Sequence, residues 1–331
     1  MTTTTHPDVA ILLATYNGET FVEQQINSLR NNTTRFTLHW LDDHSTDNTA
    51  QVVRSSAQRA SIELVEWQQP RHLGFPSSFF RLIECVEADI YFFCDQDDIW
   101  QAAKIDFAVA NLMSDVGRPV LCFTNSLMFT GNESCTYARP VHSKRNVRRA
   151  LREPPMFAMF SPAMALGHTQ AFTKPLREIF LRHKAIAYAY AFAHDWWMYD
   201  IAVTTGSIRM LPNAPTVFWR QHENSFRSNF GGKQPNRVSH MWRATQLLRQ
   251  VMAQHARGFL YAVPTLPPGG NLDRLCMIAK QIELIDKKRT PAALARLAQL
   301  GAIRRKLSWR VWLLFACLCC DAGRPGTSAA P

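Results

Sequence analysis

No uninterrupted apolar run in this sequence approaches the ~20 residues that a membrane-spanning helix requires; the nearest candidate, residues 311–320, is too short. A polytopic membrane protein is therefore not indicated. The eight cysteines, Cys85, Cys94, Cys122, Cys135, Cys276, Cys317, Cys319 and Cys320, provide no pair of C-x-x-C motifs, which removes the usual structural zinc site. Reduced thiols are the expectation. Residues 1–8 are a polar threonine run with no basic segment leading into an apolar one, so no secretory leader is read and a cytoplasmic location is expected. Neither G-x-G-x-x-G nor G-x-x-x-x-G-K-[ST] follows the first apolar run, and these are the glycine patterns that let backbone amides cradle phosphates. Any phosphate that binds needs another anchor. Acidic charge is also scarce, with 26 Asp and Glu against 37 Lys and Arg and a formal net charge of +11. Such a balance suits nucleic acid, anionic lipid or phosphorylated substrates, and does not choose among them.

What is present is ordinary globular material. Hydrophobic residues at 47% and charged residues at 19% of 331 positions exclude a disordered chain and allow one large α/β domain or two smaller ones. Residues 9–14 read as a strand, 15–18 as a polar turn and 21–29 as a helix. The pattern repeats: strand 36–41, turn 42–47, helix 49–60, strand 62–67, helix 79–86, strand 90–94, helix 101–113. Strands alternating with helices predict a mostly parallel sheet with helices on both faces. Further on, the pattern predicts a strand over 120–129, helices over 174–182 and 194–204, and an irregular strand over 208–219 broken by Pro212 and Pro215. From residue 239 the reading is mostly helical, interrupted at 264–270.

Two basic segments stand out. Residues 139–152 carry six basic side chains and no acid until Glu153, which reads as a solvated loop, or beside an active site as an attractor of phosphate groups. Arg304, Arg305, Lys306 and Arg310 adjoin the apolar run 311–320, a pairing found in helices that lie in a membrane interface and equally in core or partner-facing helices.

In open α/β sheets ligands bind beyond the carboxyl ends of the strands. That rule selects the loops 15–18, 42–47 and 95–98. In the third, an apolar strand delivers Asp95, Asp97 and Asp98 into one turn. Carboxylates that close repel, and a hard divalent cation compensates them; the plainer alternative is a helix N-terminus decorated with acids. Asp195 lies between His194 and the pair Trp196 and Trp197, a setting that raises its proton affinity toward that of a general base and offers rings to a sugar face. Its plainer alternative is a helix-capping aspartate with tryptophans in the core. Arg220 and His222 follow a strand and can reach a diphosphate or complete a metal shell.

The stretches V-A-I-L-L-A-T-Y-N-G from Val9, L-D-D-H-S-T-D-N-T from Leu41 and D-Q-D-D-I-W from Asp95 resemble, in order and spacing, glycosyltransferase family 2. The D-Q-D-D-x-W form, His194-Asp195-Trp196-Trp197 and Trp219-Arg220-Gln221-His222 look most like its rhamnosyltransferase-type members. The resemblance implies a GT-A fold over residues 1–235, with a donor-binding half to about residue 115, an acceptor-side half after it, and a helical C-terminal extension over 236–331 that touches the membrane face. It implies that Thr15, Tyr16, Asn17 and Asp43 hold the nucleoside, and that Asp95 and Arg220 contact the donor's ribose, sugar or diphosphate. Asp97, aided by Asp98 and His222, would ligate Mn2+ or Mg2+, Asp195 would be the catalytic base, and Gly167 would fall on an acceptor-side strand. Relatives carry glycine where this chain has His44 and asparagine where it has His72, so the donor loop differs in detail. The Q-x-x-R-W motif of processive synthases is missing. The implied activity is thus an inverting, non-processive transfer from a nucleotide diphosphate sugar, for rhamnosyltransferases usually thymidine diphosphate rhamnose, to a glycan or lipid-linked glycan in cell-surface polysaccharide synthesis. It would take place in the cytoplasm or on the inner membrane face, with contact to anionic lipid and no nucleic acid partner. Two rivals are a nucleotidyltransferase, which would normally show a glycine-rich phosphate loop, and a non-catalytic basic binding protein, which leaves Asp95, Asp97, Asp98 and Asp195 unexplained.

Overall fold

The most apolar strand lies at the centre: β1 (Val9–Thr15) buries residues 9–13 on both of its faces, as a strand covered by helices on either side must. The computed structural model describes residues 6–130, 138–141, 143, 165–211, 217–222 and 237–288. After β1 come α1 (Val22–Leu29), β2 (Thr37–Asp42), α2 (Thr49–Ala60), β3 (Leu64–Trp67), α3 (Ser77–Cys85), β4 (Ile90–Cys94), β5 (Ile99–Trp100) and α4 (Lys104–Leu112). Next along the chain come β6 (Val120–Thr124), β7 (Leu127–Thr130), β8 (Arg139–Pro140), β9 (Gln170–Thr173), α5 (Lys174–Tyr190), α6 (His194–Thr205), β10 (Ser207–Leu211) and β11 (Val217–Gln221). Two long helices close the described chain, α7 (Arg237–Ala262) and α8 (Leu272–Lys288).

Seven strands form the large sheet in the order β10-β6-β9-β4-β1-β2-β3. All neighbours are parallel except β9, which runs antiparallel to both β4 and β6. Alternation along β1 serves two cores. Ala10 and Leu12 face a core built with α3, α5, α6, α7 and α8, while Val9, Ile11 and Leu13 face one built with α1, α2 and α4. A smaller sheet, β5-β11-β7-β8, sits beyond the acid turn.

The structure departs from the sequence reading where pairing is non-local. Residues 120–129 are not one strand: β6 pairs in the large sheet with β10 and β9, and β7 leaves it to pair with β11. Residues 208–219 divide in the same way between β10 and β11. The helix starting at Lys174 runs on to Tyr190. The described part of the C-terminal extension is built into the main core, to which it contributes Ala253, Ala256, Phe259, Leu275, Ile278 and Ala279. No helix among the described residues is long and apolar enough to cross a membrane. Most of the basic run 139–152 and all of 301–331, on which the membrane expectation rested, lie outside the described residues.

Close approach of α7 to α5 depends on Gly258. A Cβ added there would press on Tyr190 Cβ and stand 3.0 Å from its Cγ. Alanine's better helix propensity is worth about 1 kcal/mol over glycine, whereas overpacking a tight contact costs about 1–3 kcal/mol. Gly258→Ala should therefore lower stability in a urea titration; a variant as stable as the parent would show that α7 does not pack this closely.

Candidate functional site

At the carboxyl ends of β1, β2 and β4 the three polar loops are joined to one another. Gln96 accepts the Tyr16 N–H at 2.9 Å and donates to the Tyr16 carbonyl at 3.1 Å. Asn17 donates its N–H to Ser45 Oγ at 2.9 Å and accepts the Thr46 N–H on Oδ1 at 2.8 Å. Asn17 holds a φ of +48°, a left-handed conformation that asparagine tolerates better than most residues. A Cβ at Gly18 beside it would push on the Gln96 amide and disturb its bonds to Tyr16.

The acid turn has two faces. On the inner face Asp98 is fully buried, with Oδ1 accepting the Arg220 N–H at 3.0 Å and Oδ2 left without a hydrogen bond. His168 Nδ1 stands 3.2 Å from Asp98 Oδ2 and 3.5 Å from Asp95 Oδ2. Burial, then the charges of Asp97 and Asp95, push the Asp98 carboxyl well above the usual carboxylate range. On the outer face Asp97 Oδ2 meets His222 Nε2 at 2.7 Å. Ligand atoms of Asp95, Asp98 and His168 all fall within 4.8 Å of one another. A buried carboxylate oxygen with no hydrogen bond, beside the Asp95 carboxylate and the His168 imidazole, fits a divalent cation, which takes carboxylate oxygen and imidazole nitrogen together.

Arg220 holds the turn from behind. It is 1% exposed, donates from Nε to the Asp97 carbonyl at 2.8 Å and from Nη2 to Gln24 Oε1, and lies between the rings of Phe21 and Phe129 at 4.7 and 4.8 Å. Lys104 also points inward: its Nζ sits 3.3 Å from the Trp100 ring centroid, and burial lowers its pKa to about 7.

Asp195 is the second residue of α6, whose N-cap is Ala193, so it is not the helix cap. Its Oδ2 accepts the Gly167 N–H at 3.0 Å and its Oδ1 the Trp196 N–H at 2.9 Å. Burial, with Asp95 as the next contributor, raises its pKa to about 7 against those two stabilising bonds. His194 stacks on Phe79 at 4.0 Å with neither ring nitrogen bonded, and burial lowers its pKa to about 3. The Gly167–Thr169 turn links the two centres, since Gly167 touches Asp195 while His168 touches Asp95 and Asp98.

Of the residues singled out in the sequence, Tyr16, Asn17, Asp95, Asp97, Asp98 and His222 lie in or against the loops at the carboxyl ends of β1 and β4, with Asp195 bonded to Gly167. Others do different work from that expected. The Thr15 hydroxyl is buried between Asp42 and the Trp40 indole, 2.8 and 2.9 Å away. Asp43 is buried and spends its oxygens on the N–H groups of Leu73 and Gly74, the Ser78 hydroxyl and the Gln69 amide. Trp196 and Trp197 are core residues, not open to a sugar face. Gly167 stands in the turn before β9. His168 was missed, although it directly follows Gly167, the position that had drawn attention.

Comparison with known proteins agrees with this geometry. The sequence profile described as glycosyl transferase family 2 matches residues 10–173. The dTDP-rhamnosyl transferase RfbG of Shigella flexneri is 28% identical over 222 residues, 64% of this chain and 72% of that protein. Among solved structures, the mannosyltransferase PcManGT of Pyrobaculum calidifontis, in complex with GDP-Man and Mn2+, superposes with a TM-score of 0.52 at 17% identity, over 95% of this chain and 86% of that one. S. aureus TarS 1–349 in complex with UDP gives 0.50 at 16% identity, over 93% and 86%. The fold is GT-A.

The raised Asp195 value has a sign. Because its folded pKa of about 7 lies above the ordinary 3.8, the folded chain keeps a proton that the unfolded chain releases between those values, and stability falls as pH rises through that window. Asp195→Asn removes this loss. Relative to the parent, the variant should gain stability between pH 5 and pH 8, by an amount on the order of a few kcal/mol in chemical denaturation. A pH-independent difference would mean that Asp195 titrates normally.

Proposed function

We propose, on the premise that this chain belongs to glycosyl transferase family 2 through residues 10–173, that it transfers a sugar from a nucleoside diphosphate donor to a glycan hydroxyl with inversion at the anomeric carbon. The observation that carries this reading is the Gly167-His168 turn. One residue of it grips the base Asp195 and the next touches the acid turn, so proton acceptor and diphosphate site are held in fixed relation.

In this reading the Asp195 carboxylate takes the proton from the acceptor hydroxyl as its oxygen attacks the anomeric carbon. The bond to the diphosphate breaks on the opposite side, and the nucleoside diphosphate leaves with the electron pair. A pKa of about 7 suits a group that must be free at working pH and still hold a proton once it arrives. No covalent intermediate is needed. Asp97, Asp98 and Asp95, with His222 and His168, would hold a divalent cation, Mn2+ or Mg2+. When bound, that ion supplies positive charge to the departing diphosphate. Tyr16, 47% exposed and packed at 4.6 Å against His72, offers a face to the nucleobase. Thr15 and Asp43 serve donor binding indirectly by fixing the loops around it, and Arg220 does so by fixing the Asp97 and Asp98 backbone. The relation to a dTDP-rhamnosyl transferase supports thymidine diphosphate rhamnose as the donor to try first, and a glycan, lipid-linked in the cell, as the acceptor class.

Purified protein should release diphosphate from one nucleotide sugar in a panel, and only with Mn2+ or Mg2+ present. Asp97→Ala should abolish cation-dependent donor binding in calorimetry; unchanged affinity with Mn2+ would remove the cation from the reading. Asp195→Asn should bind donor normally and transfer roughly 10²–10⁴-fold more slowly, and the rising limb of the parent's rate, near pH 7, should disappear. A near-normal single-turnover rate would refute the assignment of the base.

A further inference from the structure

Asp195 is held by more than its own two hydrogen bonds. Against the first turns of α6 lies His255 of α7, fully buried and more than fifty residues further along the chain. Its Nδ1 accepts the backbone N–H of Phe192, in the loop that leads into α6, at 3.3 Å. The ring proton therefore sits on Nε2, which donates to Asp200 Oδ2 at 2.8 Å further along α6. The rings of Trp196 and Trp197 meet the imidazole edge-on at 5.7 and 5.6 Å. One side chain thus ties down the residues before, beside and after Asp195.

A buried imidazole–carboxylate pair is an expensive way to join two helices. Desolvating the carboxylate offsets much of what the hydrogen bond gains, and an apolar pair of the same volume is often as stable. What the polar pair adds is direction: an imidazole bonded at both nitrogens fixes the rotation and height of α6 against α7, where apolar contacts tolerate sliding. Tight packing at Gly258 and Gly269, where a Cβ would strike Tyr190 and the Thr204 carbonyl, keeps α7 and the segment after it from drifting.

We propose that His255 is a positioning residue for the base, acting through Phe192, the two tryptophans and Asp200 to aim the Asp195 carboxylate at the acceptor. The inference rests on the reading of Asp195 given above. It extends the catalytic apparatus into α7, well past residue 173 where the family match ends. Fully buried among side chains of α6, His255 would act on the transfer step and leave donor binding alone.

The test is a double-mutant cycle on the full chain, with thymidine diphosphate rhamnose as donor and methyl rhamnoside as acceptor, reading kcat and donor KM for His255→Phe, Asp195→Asn and the double variant. His255→Phe should lower kcat roughly 10- to 100-fold, the scale expected of a slight misplacement, at unchanged donor KM, and should cost nothing further in the Asp195→Asn background. A parent-like kcat, or the same fold-loss in both backgrounds, overturns the inference. If Asp195→Asn itself transfers normally, the base assignment fails instead. Amide hydrogen exchange gives a readout that needs no turnover. Residues 194–198 should exchange roughly 10-fold faster in His255→Phe while β1 and β4 keep their protection; unchanged protection at 194–198 overturns the inference as well. Should His255→Phe not fold, His255→Gln is read by the same criteria.

Discussion

Three carboxylates that leave one strand within four residues cannot all be charged, close together and uncompensated. The chain meets that constraint by building its second half around the turn. Arg220 gives a backbone N–H to Asp98 and its guanidinium to the Asp97 carbonyl, while His222 and His168 approach from opposite sides. Those three residues come from β11, the residue after it and the turn before β9, far apart in sequence. They still leave Asp98 Oδ2 with no hydrogen bond. The protein supplies donors and imidazoles enough to hold the turn in shape and leaves a deficit of positive charge that a divalent cation would fill.

Asp195, the proposed base, answers to the same arrangement. Asp95 contributes to the rise in its proton affinity, after burial, and Gly167 and His168, consecutive in the chain, connect one acid to the other. A sheet strand running antiparallel among parallel neighbours is what makes this possible. Because β9 enters in reverse between β4 and β6, its preceding turn arrives at the same edge as the carboxyl ends of β1, β2 and β4, where the diphosphate end of a donor would lie. Beneath it, α6 carries Asp195, and His255 of α7 contacts Trp196, Trp197 and Asp200 of the same helix. Acid turn, antiparallel strand and braced helix form one mechanical unit.

Much of this was legible in the residues. Parallel strands buried on both faces are continuous apolar runs, so β1 and β4 and the loops after them stood out, as did the acids that β4 delivers. The GT-A fold followed from the order of the motifs. Pairing decisions did not show, since nothing local tells residues 127–130 to leave the large sheet for β11, and residues 120–129 therefore read as one strand. His168 escaped for a related reason: its partners lie seventy residues upstream and no spacing rule joins them. The tryptophans after Asp195 looked like a sugar platform, yet a helix braced by α7 must bury them. Thr15 and Asp43 sit in the right loops, but their side chains are turned inward by Asp42, Trp40 and the backbone of residues 73–74. Sequence places a residue in a loop; only the packing decides whether it faces the ligand or holds the loop.

If the deficit of positive charge at the acid turn is what organises the site, a cation must occupy it when donor product is present. Crystals soaked with Mn2+ and thymidine diphosphate, with anomalous data collected at the manganese edge, test this directly. The account predicts a single strong peak within ligand distance of the carboxylates of the acid turn, Asp98 among them, with diphosphate oxygens beside it. A turn with no anomalous peak, and a nucleotide bound elsewhere or not at all, would contradict it.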